Sequence, residues 1–234
     1  MMANARNLLH TVSLFEGLGA EVTNAIGDIA RWQSVAPNQF VLEVSDGSDD
    51  VYFVTEGRLA ATIFSVGGRE VNYLQLGRGD VFGEFAALDG NARSASIVSL
   101  TDSVVAALTS AQFRDVILQH PSVGLQLARL LVVKNRMLTQ RIFEFSTLSV
   151  PVRVACELLR ISQAAGDGSA RPVVTNMPTH YQIASRISTS REAVSRAVSD
   201  LVARGIIETA AHTMTVLDTK ALRRAAGGED LEQS

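Results

Sequence analysis

Cysteine is nearly absent from this chain of 234 residues, and Cys156 is the only one. A single thiol excludes a disulfide framework within the chain and a metal cluster held by several cysteines. Because Val154 and Leu158 place Cys156 in an apolar helical pattern, we expect it to be a small buried hydrophobic residue. The four histidines show no metal-ligand spacing, so no metal site is predicted.

Long apolar runs are also missing. No uncharged apolar stretch reaches the roughly 18 residues of a membrane span, and no apolar run follows a basic N-terminus. The sequence therefore predicts neither a membrane span nor a signal peptide, and we expect a cytoplasmic protein without a membrane partner. The net charge of −3 is small, but the segment from Val152 to Ala226 contains ten lysines and arginines and only six aspartates and glutamates. A local excess of positive charge is what DNA binding requires.

The first half of the chain has the pattern of short strands. Apolar or alternating runs divided by Gly and Asp fill the region from Gln39 to Leu108, at residues 51–54, 59–64, 71–76, 94–98 and 103–108. Strands at this spacing predict an antiparallel β-barrel or sandwich, and a barrel interior can hold one small ligand. We predict an α+β protein whose residues 1–120 form an N-terminal antiparallel β-barrel.

A long helix is predicted next, from Ser122 to Ser146 within a segment 121–148. Its apolar residues follow a rhythm close to seven residues, which Lys134 interrupts: Leu127, Leu131, Leu138, Ile142 and Phe145. One interpretation is the coiled-coil seam of a homodimer, and the other is a helix packed on its own barrel. A hinge is predicted at residues 149–151, because the residue before Pro151 avoids helical geometry.

The last third, residues 149–226, has the pattern of a winged helix-turn-helix. After a helix at 151–165, a loop at 166–168 and a strand at 172–174, Thr179 and Gln182 form one capping box and Thr189 and Glu192 a second. Two short helices joined by a tight turn form a helix-turn-helix, and residues 205–207 and 213–217 predict a two-stranded wing. The tail, 227–234, is expected to be disordered.

The second of these helices has a polar face opposite its apolar one, formed by Arg191, Glu192, Ser195, Arg196 and Ser199. Arginine can pair with guanine edges, glutamate can accept from the cytosine amino group, and serine can hold phosphate. An ordinary solvated helix surface is the alternative. The predicted wing favours the DNA-reading interpretation.

The densest set of chemically informative residues lies between Asp80 and Ser96. Backbone amides near Gly83 and at 85–87, at the start of a helical turn, can hold phosphate oxygens. Arg93 can neutralise a phosphate with a forked pair, and Glu84 fits a ribose hydroxyl. The alternative is a surface salt bridge between Glu84 and Arg93.

The sequence resembles the cyclic-AMP receptor protein and fumarate-nitrate regulator family, and the resemblance extends from about Phe15 to about Leu222. The run Phe82-Gly83-Glu84-Phe85-Ala86-Ala87-Leu88 with Arg93-Ser94-Ala95 is similar to the family's phosphate-binding cassette, and Ser190-Arg191-Glu192-Ala193-Val194-Ser195-Arg196 to its recognition-helix start. The resemblance implies a cyclic-nucleotide-binding domain of jelly-roll type, a long dimerisation helix and a C-terminal winged helix-turn-helix.

For the ligand, the resemblance implies cAMP, with cGMP as the alternative. The implied ligand-binding residues are Gly83, Glu84, Phe85, Ala86, Arg93, Ser94, Leu138 and Thr139. Nucleotide-responsive members have two adjacent hydroxyls facing the purine, whereas only Thr139 has one here. Arg136 or Arg141 could replace the lost contact.

For the partners, the resemblance implies a homodimer on palindromic double-stranded DNA, with a half-site similar to TGTGA, and contact with RNA polymerase. The implied DNA-binding residues are Thr179, Ser190, Arg191, Glu192, Ser195 and Arg196. A DNA regulator whose barrel binds no nucleotide is the competing hypothesis. Leu138 favours it, whereas the joint presence of Glu84, Arg93 and Ser94 argues against it. An enzyme is not predicted, because no nucleophile–base pair, metal motif or carboxylate dyad stands out.

Overall fold

The computed structural model describes residues 6–64, 70–165 and 171–227. The chain divides into two compact units, Met1–Arg136 and Met137–Ser234, whose boundary lies inside the long helix. The domain boundaries drawn from the sequence stay predictions. The predicted loop at 166–168 lies outside the described residues, as does the predicted disordered tail beyond residue 227.

The first unit is built from short strands with a few helices. Two 3-10 helices, Arg6–Thr11 and Ser13–Phe15, precede the first α-helix. The elements that follow are α1 (Ala20–Ile29), β1 (Arg31–Val35), β2 (Phe40–Leu42), β3 (Val51–Glu56), β4 (Arg58–Phe64), β5 (Glu70–Gly77), β6 (Val81–Phe82), α2 (Glu84–Asp89), β7 (Ser96–Ser99), β8 (Ser103–Leu108) and α3 (Ser110–Gln119).

These strands form two antiparallel sheets of four, in the orders β1-β8-β3-β6 and β2-β7-β4-β5. The arrangement is jelly-roll-like, so the predicted antiparallel fold is confirmed, but the strands do not close into one barrel. The chain passes from one sheet to the other between β3 and β4 at Gly57, which has φ +85°. A Cβ there would lie 2.2 Å from Ser103 Oγ, so only glycine fits this crossing.

Aromatic side chains fill the core of the first unit. The ring centroids of Phe15 and Phe53 are 5.0 Å apart, and those of Phe53 and Phe113 are 6.3 Å apart. Trp32 packs against the same core, and its indole N–H donates to the Gly27 carbonyl at 2.9 Å.

The long helix, α4 (Pro121–Thr147), is confirmed, but its first half does not form the predicted seam. Leu127 is 5% exposed in its own unit, and Leu131 packs against the same core. These two residues therefore follow the alternative of a helix packed on its own domain. The exposed apolar side chains lie elsewhere on α4 and include Val132, Val133 and Ile142.

The second unit consists of the end of α4 followed by α5 (Val150–Ala165), β9 (Val173–Thr175), α6 (His180–Arg186), α7 (Arg191–Ala203), β10 (Ile207–Ala210), β11 (Thr213–Val216) and α8 (Thr219–Ala225). The predicted wing is the β10–β11 hairpin, and β9 pairs with β11 as a third strand. Cys156 is buried in the helical core, and its thiol donates to the Ala226 carbonyl at 3.4 Å.

The helix break lies at residues 148–149, slightly earlier than the proline rule predicts. Val150 already begins α5, and Pro151 lies in its first turn. Backbone N–H groups in the first turn have no partner within the helix, so the N–H that proline lacks costs no hydrogen bond. Among the described helices, none alone is long and apolar enough to cross a bilayer. Only α3 and α4 meet that requirement together, as a pair bent by 113°.

Candidate functional site

Arg93 is the central residue of the cassette in the first unit. It lies just before β7 with 5% of its surface exposed, and its guanidinium donates to the Gly83 carbonyl at 3.0 Å and the Asp50 carbonyl at 2.9 Å. A third bond goes to Ser48 Oγ at 3.1 Å, while Nε has no partner among the described residues. Within the described ranges no carboxylate pairs with Arg93, so the alternative of a surface Glu84–Arg93 salt bridge is wrong.

Gly83 is the N-cap of α2 and takes a left-handed conformation, with φ +82°. A Cβ at this position would lie 2.6 Å from the Asp50 carbonyl oxygen and 2.8 Å from Arg93 Nη1. The close approach of the turn to Arg93 therefore requires glycine. Behind it, Phe85 is exposed and Ala86 is buried, at the helix start where the sequence predicts phosphate-binding amides.

Glu84 is only 3% exposed and pairs with Lys134 of α4, with 2.8 Å between Oε1 and Nζ. Lys134 Nζ also donates to the Val81 carbonyl at 3.1 Å. The sequence interpretation missed this role and treated Lys134 only as an interruption of the apolar rhythm. A cation inside that rhythm was the available signal, because burying a lysine requires a partner.

A second carboxylate lies beside this pair. Burial raises the pKa of Asp80, whereas a hydrogen bond from the Gly77 amide at 2.8 Å and the positive charge of Lys134 act in the opposite direction. The cassette and its neighbours Asp80 and Lys134 thus combine two cations with two carboxylates. It can hold an anion at Arg93 and accept a hydroxyl hydrogen bond at Glu84, which are the needs of a sugar phosphate.

The remaining predicted ligand residues are divided between the two units. Ser94 is exposed beside Arg93. Leu138 and Thr139 lie on α4 within the second unit, and their contact with a purine stays a prediction. The guanidinium of Arg141 pairs with Glu157 at 3.1 Å in that unit. Arg141 therefore has another partner and does not act as the replacement purine contact.

In the second unit, the predicted capping box of α6 is confirmed. The Gln182 amide donates to Thr179 Oγ1 at 3.2 Å, and the Thr179 amide donates to Gln182 Oε1 at 2.9 Å. The second predicted box, from Thr189 to Glu192, is wrong. Ser190 caps α7 instead and accepts from the Ala193 amide at 3.2 Å, after Ser188 turns the chain in the left-handed region.

The outer face of α7 contains the predicted DNA-reading side chains. Arg191, Glu192 and Arg196 are exposed, while the apolar residues of the opposite face are buried. The Glu192 carboxylate accepts from its own backbone N–H and from Ser190, which lowers its pKa. Ser195 is partly buried, and its Oγ lies 2.7 Å from His180 Nδ1 and is hydrogen-bonded to it.

Two domain families match the sequence. The cyclic nucleotide-binding domain matches residues 32–120, and the Crp-like helix-turn-helix domain matches residues 152–225. The chain is 25% identical over 221 residues to the CRP-like cAMP-activated global transcriptional regulator of Mycobacterium tuberculosis, covering 94% of this chain and 98% of that protein. It is 29% identical over 215 residues to the cyclic AMP receptor protein of Thermus thermophilus, with coverages of 92% and 97%.

Solved structures agree with these matches. The Thermus thermophilus catabolite activator protein is similar with a TM-score of 0.53 and 27% identity, over 92% of this chain and 99% of that one. A CooA variant from Carboxydothermus hydrogenoformans shares the fold with a TM-score of 0.78 at 18% identity, over 95% and 99% of the two chains. With its cyclic nucleotide-binding domain and Crp-like helix-turn-helix, this chain belongs to the Crp/Fnr family of DNA-binding transcription regulators.

Proposed function

We propose that this regulator responds to cAMP, which binds at the cassette of the first unit and promotes DNA binding. Arg93 is the observation that supports this most directly. A buried guanidinium costs free energy unless an anion compensates it, and here its hydrogen-bond partners are neutral carbonyls and a hydroxyl. A cyclic phosphate is a suitable anion, with Gly83 permitting its close approach and the α2 amides of Phe85 and Ala86 donating to it.

Glu84 is the proposed ribose contact. Its carboxylate would accept a hydrogen bond from a ribose hydroxyl while it stays paired with Lys134. Ser94 would add a hydroxyl to the phosphate, and Thr139 would face the purine beside Leu138. Because one of the two hydroxyls is replaced by Leu138, cGMP is the alternative ligand. The names of the Mycobacterium and Thermus relatives support cAMP as the first choice.

The second half of the proposal is a homodimer that reads a palindromic site. Exposed apolar side chains on α4 offer a surface for a second copy: Leu125, Val132, Val133, Ile142, Phe143 and Phe145. Two copies would place their α7 helices about one DNA turn apart. Thr179, Ser190 and Ser195 would contact phosphates, while Arg191, Glu192 and Arg196 would face the bases. Contact with RNA polymerase and a cytoplasmic location belong to the same proposal.

Ligand control requires that cAMP bind one dimer arrangement more tightly than the other, because a ligand with equal affinity for both shifts nothing. A preference of about 1–3 kcal/mol per site is enough for useful switching.

Calorimetric titration with cAMP, and separately with cGMP, tests the sensor. We expect saturable binding of cAMP at one per chain. In Arg93→Ala, losing two charge-assisted hydrogen bonds of about 1.5 kcal/mol each should weaken binding roughly 100-fold or more. Arg78→Ala removes an exposed arginine of the same unit and should bind normally. Undiminished binding by Arg93→Ala would sink the site, and no binding of either nucleotide to the wild type would favour a nucleotide-independent regulator.

Fluorescence anisotropy with a labelled duplex of two TGTGA half-sites tests the DNA-binding proposal. Arg191→Ala should cost about 1–3 kcal/mol of binding free energy and relax the preference at one base pair. Single-base variants of the duplex measure that preference. An equal loss on every duplex would show that Arg191 contacts phosphate instead of a base.

A further inference from the structure

A cluster of five charged side chains lies in the second unit, among α4, α5 and α6. Glu157 of α5 accepts from three arginines: Arg160 at 2.7 Å, Arg141 of α4 at 3.1 Å and Arg186 of α6 at 3.2 Å. Arg160 also pairs with both carboxylate oxygens of Glu144 on α4. We call these five residues the Glu157 cluster. None of the five is a predicted DNA-binding residue, and only Arg141 was considered for the nucleotide, as a replacement purine contact.

The cluster is buried and charged. The side chains of Glu144 and Glu157 are 4% and 3% exposed. Desolvation acts to raise the pKa of Glu157, but the positive charges of Arg141, Arg186 and Arg160 outweigh it and lower the pKa overall. Desolvation likewise acts against the charge of Arg160, and its hydrogen bonds to Glu144 and Glu157 raise its pKa overall.

Stability alone does not account for such a cluster. Buried ion pairs lose much of their attraction to desolvation, and apolar side chains of similar volume often stabilise a protein equally well. What five partnered charges provide is a single geometry, because any displacement leaves a buried charge without its partner. The three elements that carry these charges are thereby fixed relative to one another.

The positions of the cluster residues give this geometry a use. Arg141 lies seven residues after Lys134 on the same helix, which is about two helical turns. Lys134 contacts Glu84 of the cassette in the first unit, and Arg141 contacts Glu157 in the second. Arg186 is the last residue of α6, which packs against α7. Arg141 also donates to the Arg186 carbonyl at 3.5 Å.

We propose that Glu157 is a positioning residue, which ties the end of α4 to α6 through Arg141 and Arg186 and so couples nucleotide binding to the placement of the recognition helix. This inference rests on the proposed function. Movement of α4 caused by nucleotide would reach the helix-turn-helix through the two arginines instead of being absorbed at the break at 148–149.

The test measures the coupling ratio, defined as the DNA dissociation constant without nucleotide divided by that with saturating cAMP. The labelled TGTGA duplex serves as the probe. Arg141→Gln cuts the tie on the α4 side, and Arg186→Gln cuts it on the α6 side. Each leaves Glu157 with two arginines, so both variants should fold. We expect each to lower the ratio about three- to tenfold. The double variant should lower it little further, because both arginines act through one carboxylate.

Arg204→Gln is the matched control, because it removes an exposed arginine of the same unit that pairs with Asp200 at 3.2 Å. It can weaken DNA binding in both states but should keep the wild-type ratio. If either folded single variant keeps the wild-type ratio, or if the double variant shows the product of two independent losses, the proposal is overturned. A wild-type ratio of one would overturn the proposed function and this inference together. Circular dichroism checks folding, and either single variant suffices for the test if the other does not fold.

Discussion

Gly83 and Gly90 show how far one residue's role depends on its neighbours. Both flank α2 in the left-handed region, with φ of +82° and +70°. A Cβ on Gly90 would meet nothing within 4 Å, whereas a Cβ on Gly83 would meet Asp50 and Arg93. The two glycines therefore share one backbone requirement, and only Gly83 adds a steric one.

The pair predicts different outcomes for the same substitution. Gly90→Ala should cost about 1–2 kcal/mol of stability from left-handed strain and leave cAMP binding intact. Gly83→Ala should add about 1–3 kcal/mol of overpacking and displace the Arg93 guanidinium, so cAMP binding should be lost. Urea denaturation and calorimetric titration measure the two effects. Normal cAMP affinity in Gly83→Ala would show that the ligand does not depend on this turn.

Among the elements, α3 and α6 begin with the same device. Thr109 with Gln112 caps α3 in the first unit, and Thr179 with Gln182 caps α6 in the second. In both boxes the threonine hydroxyl accepts from the glutamine amide at 3.2 Å. The local stabilisation should be equal, but only Thr179 is a proposed DNA contact.

Replacing each threonine by alanine separates capping from DNA binding. Thr109→Ala and Thr179→Ala should each lose about 1 kcal/mol of stability. With saturating cAMP, Thr179→Ala should also bind DNA roughly tenfold more weakly, because a hydrogen bond to a charged phosphate contributes about 1.5 kcal/mol. Thr109→Ala should bind DNA like the wild type. Equal DNA affinities would mean that Thr179 only caps its helix.

Elements defined by local pattern were predictable from the sequence. The spacing of apolar residues and the positions of glycine and proline were enough to predict α4, α7 and the wing, and a capping box marked the start of α6. The cap of α7 was wrong by one residue, because the left-handed turn at Ser188 is a tertiary outcome without a local signal. The Glu84–Lys134 pair and the Glu157 cluster were missed for a similar reason. Their members are up to 50 residues apart, and only folding brings them together.

For the whole molecule, the side of α4 that faces outward matters most. Leu127 and Leu131 pack in the core of the first unit, whereas Ile142 is 66% exposed. An isolated exposed isoleucine is ordinary, but a series along one helix marks an interaction surface. A second copy of the chain is the proposed occupant.

Ile142→Asp should therefore convert dimers to monomers without unfolding them. Burying an isoleucine contributes about 1.5–3 kcal/mol. In a two-fold symmetric dimer both copies of Ile142 lie in the interface, so the substitution removes this contribution twice and association should weaken roughly 100-fold or more. Sedimentation velocity over a concentration series measures this. Val173→Asp, at a position 51% exposed on β9, is the control and should stay dimeric. An unchanged dimer in Ile142→Asp would place the interface elsewhere.

Trp32 has a consequence for how the two units can be observed. It is the only tryptophan in the sequence, and it lies in the first unit with its indole bonded to Gly27. Its emission therefore reports the melting of that unit, while the DNA-binding unit contributes no signal of this kind. If far-ultraviolet dichroism and tryptophan emission complete their change at one temperature, the units unfold together; if part of the dichroism remains after the emission has changed, the unit without tryptophan survives the loss of its neighbour.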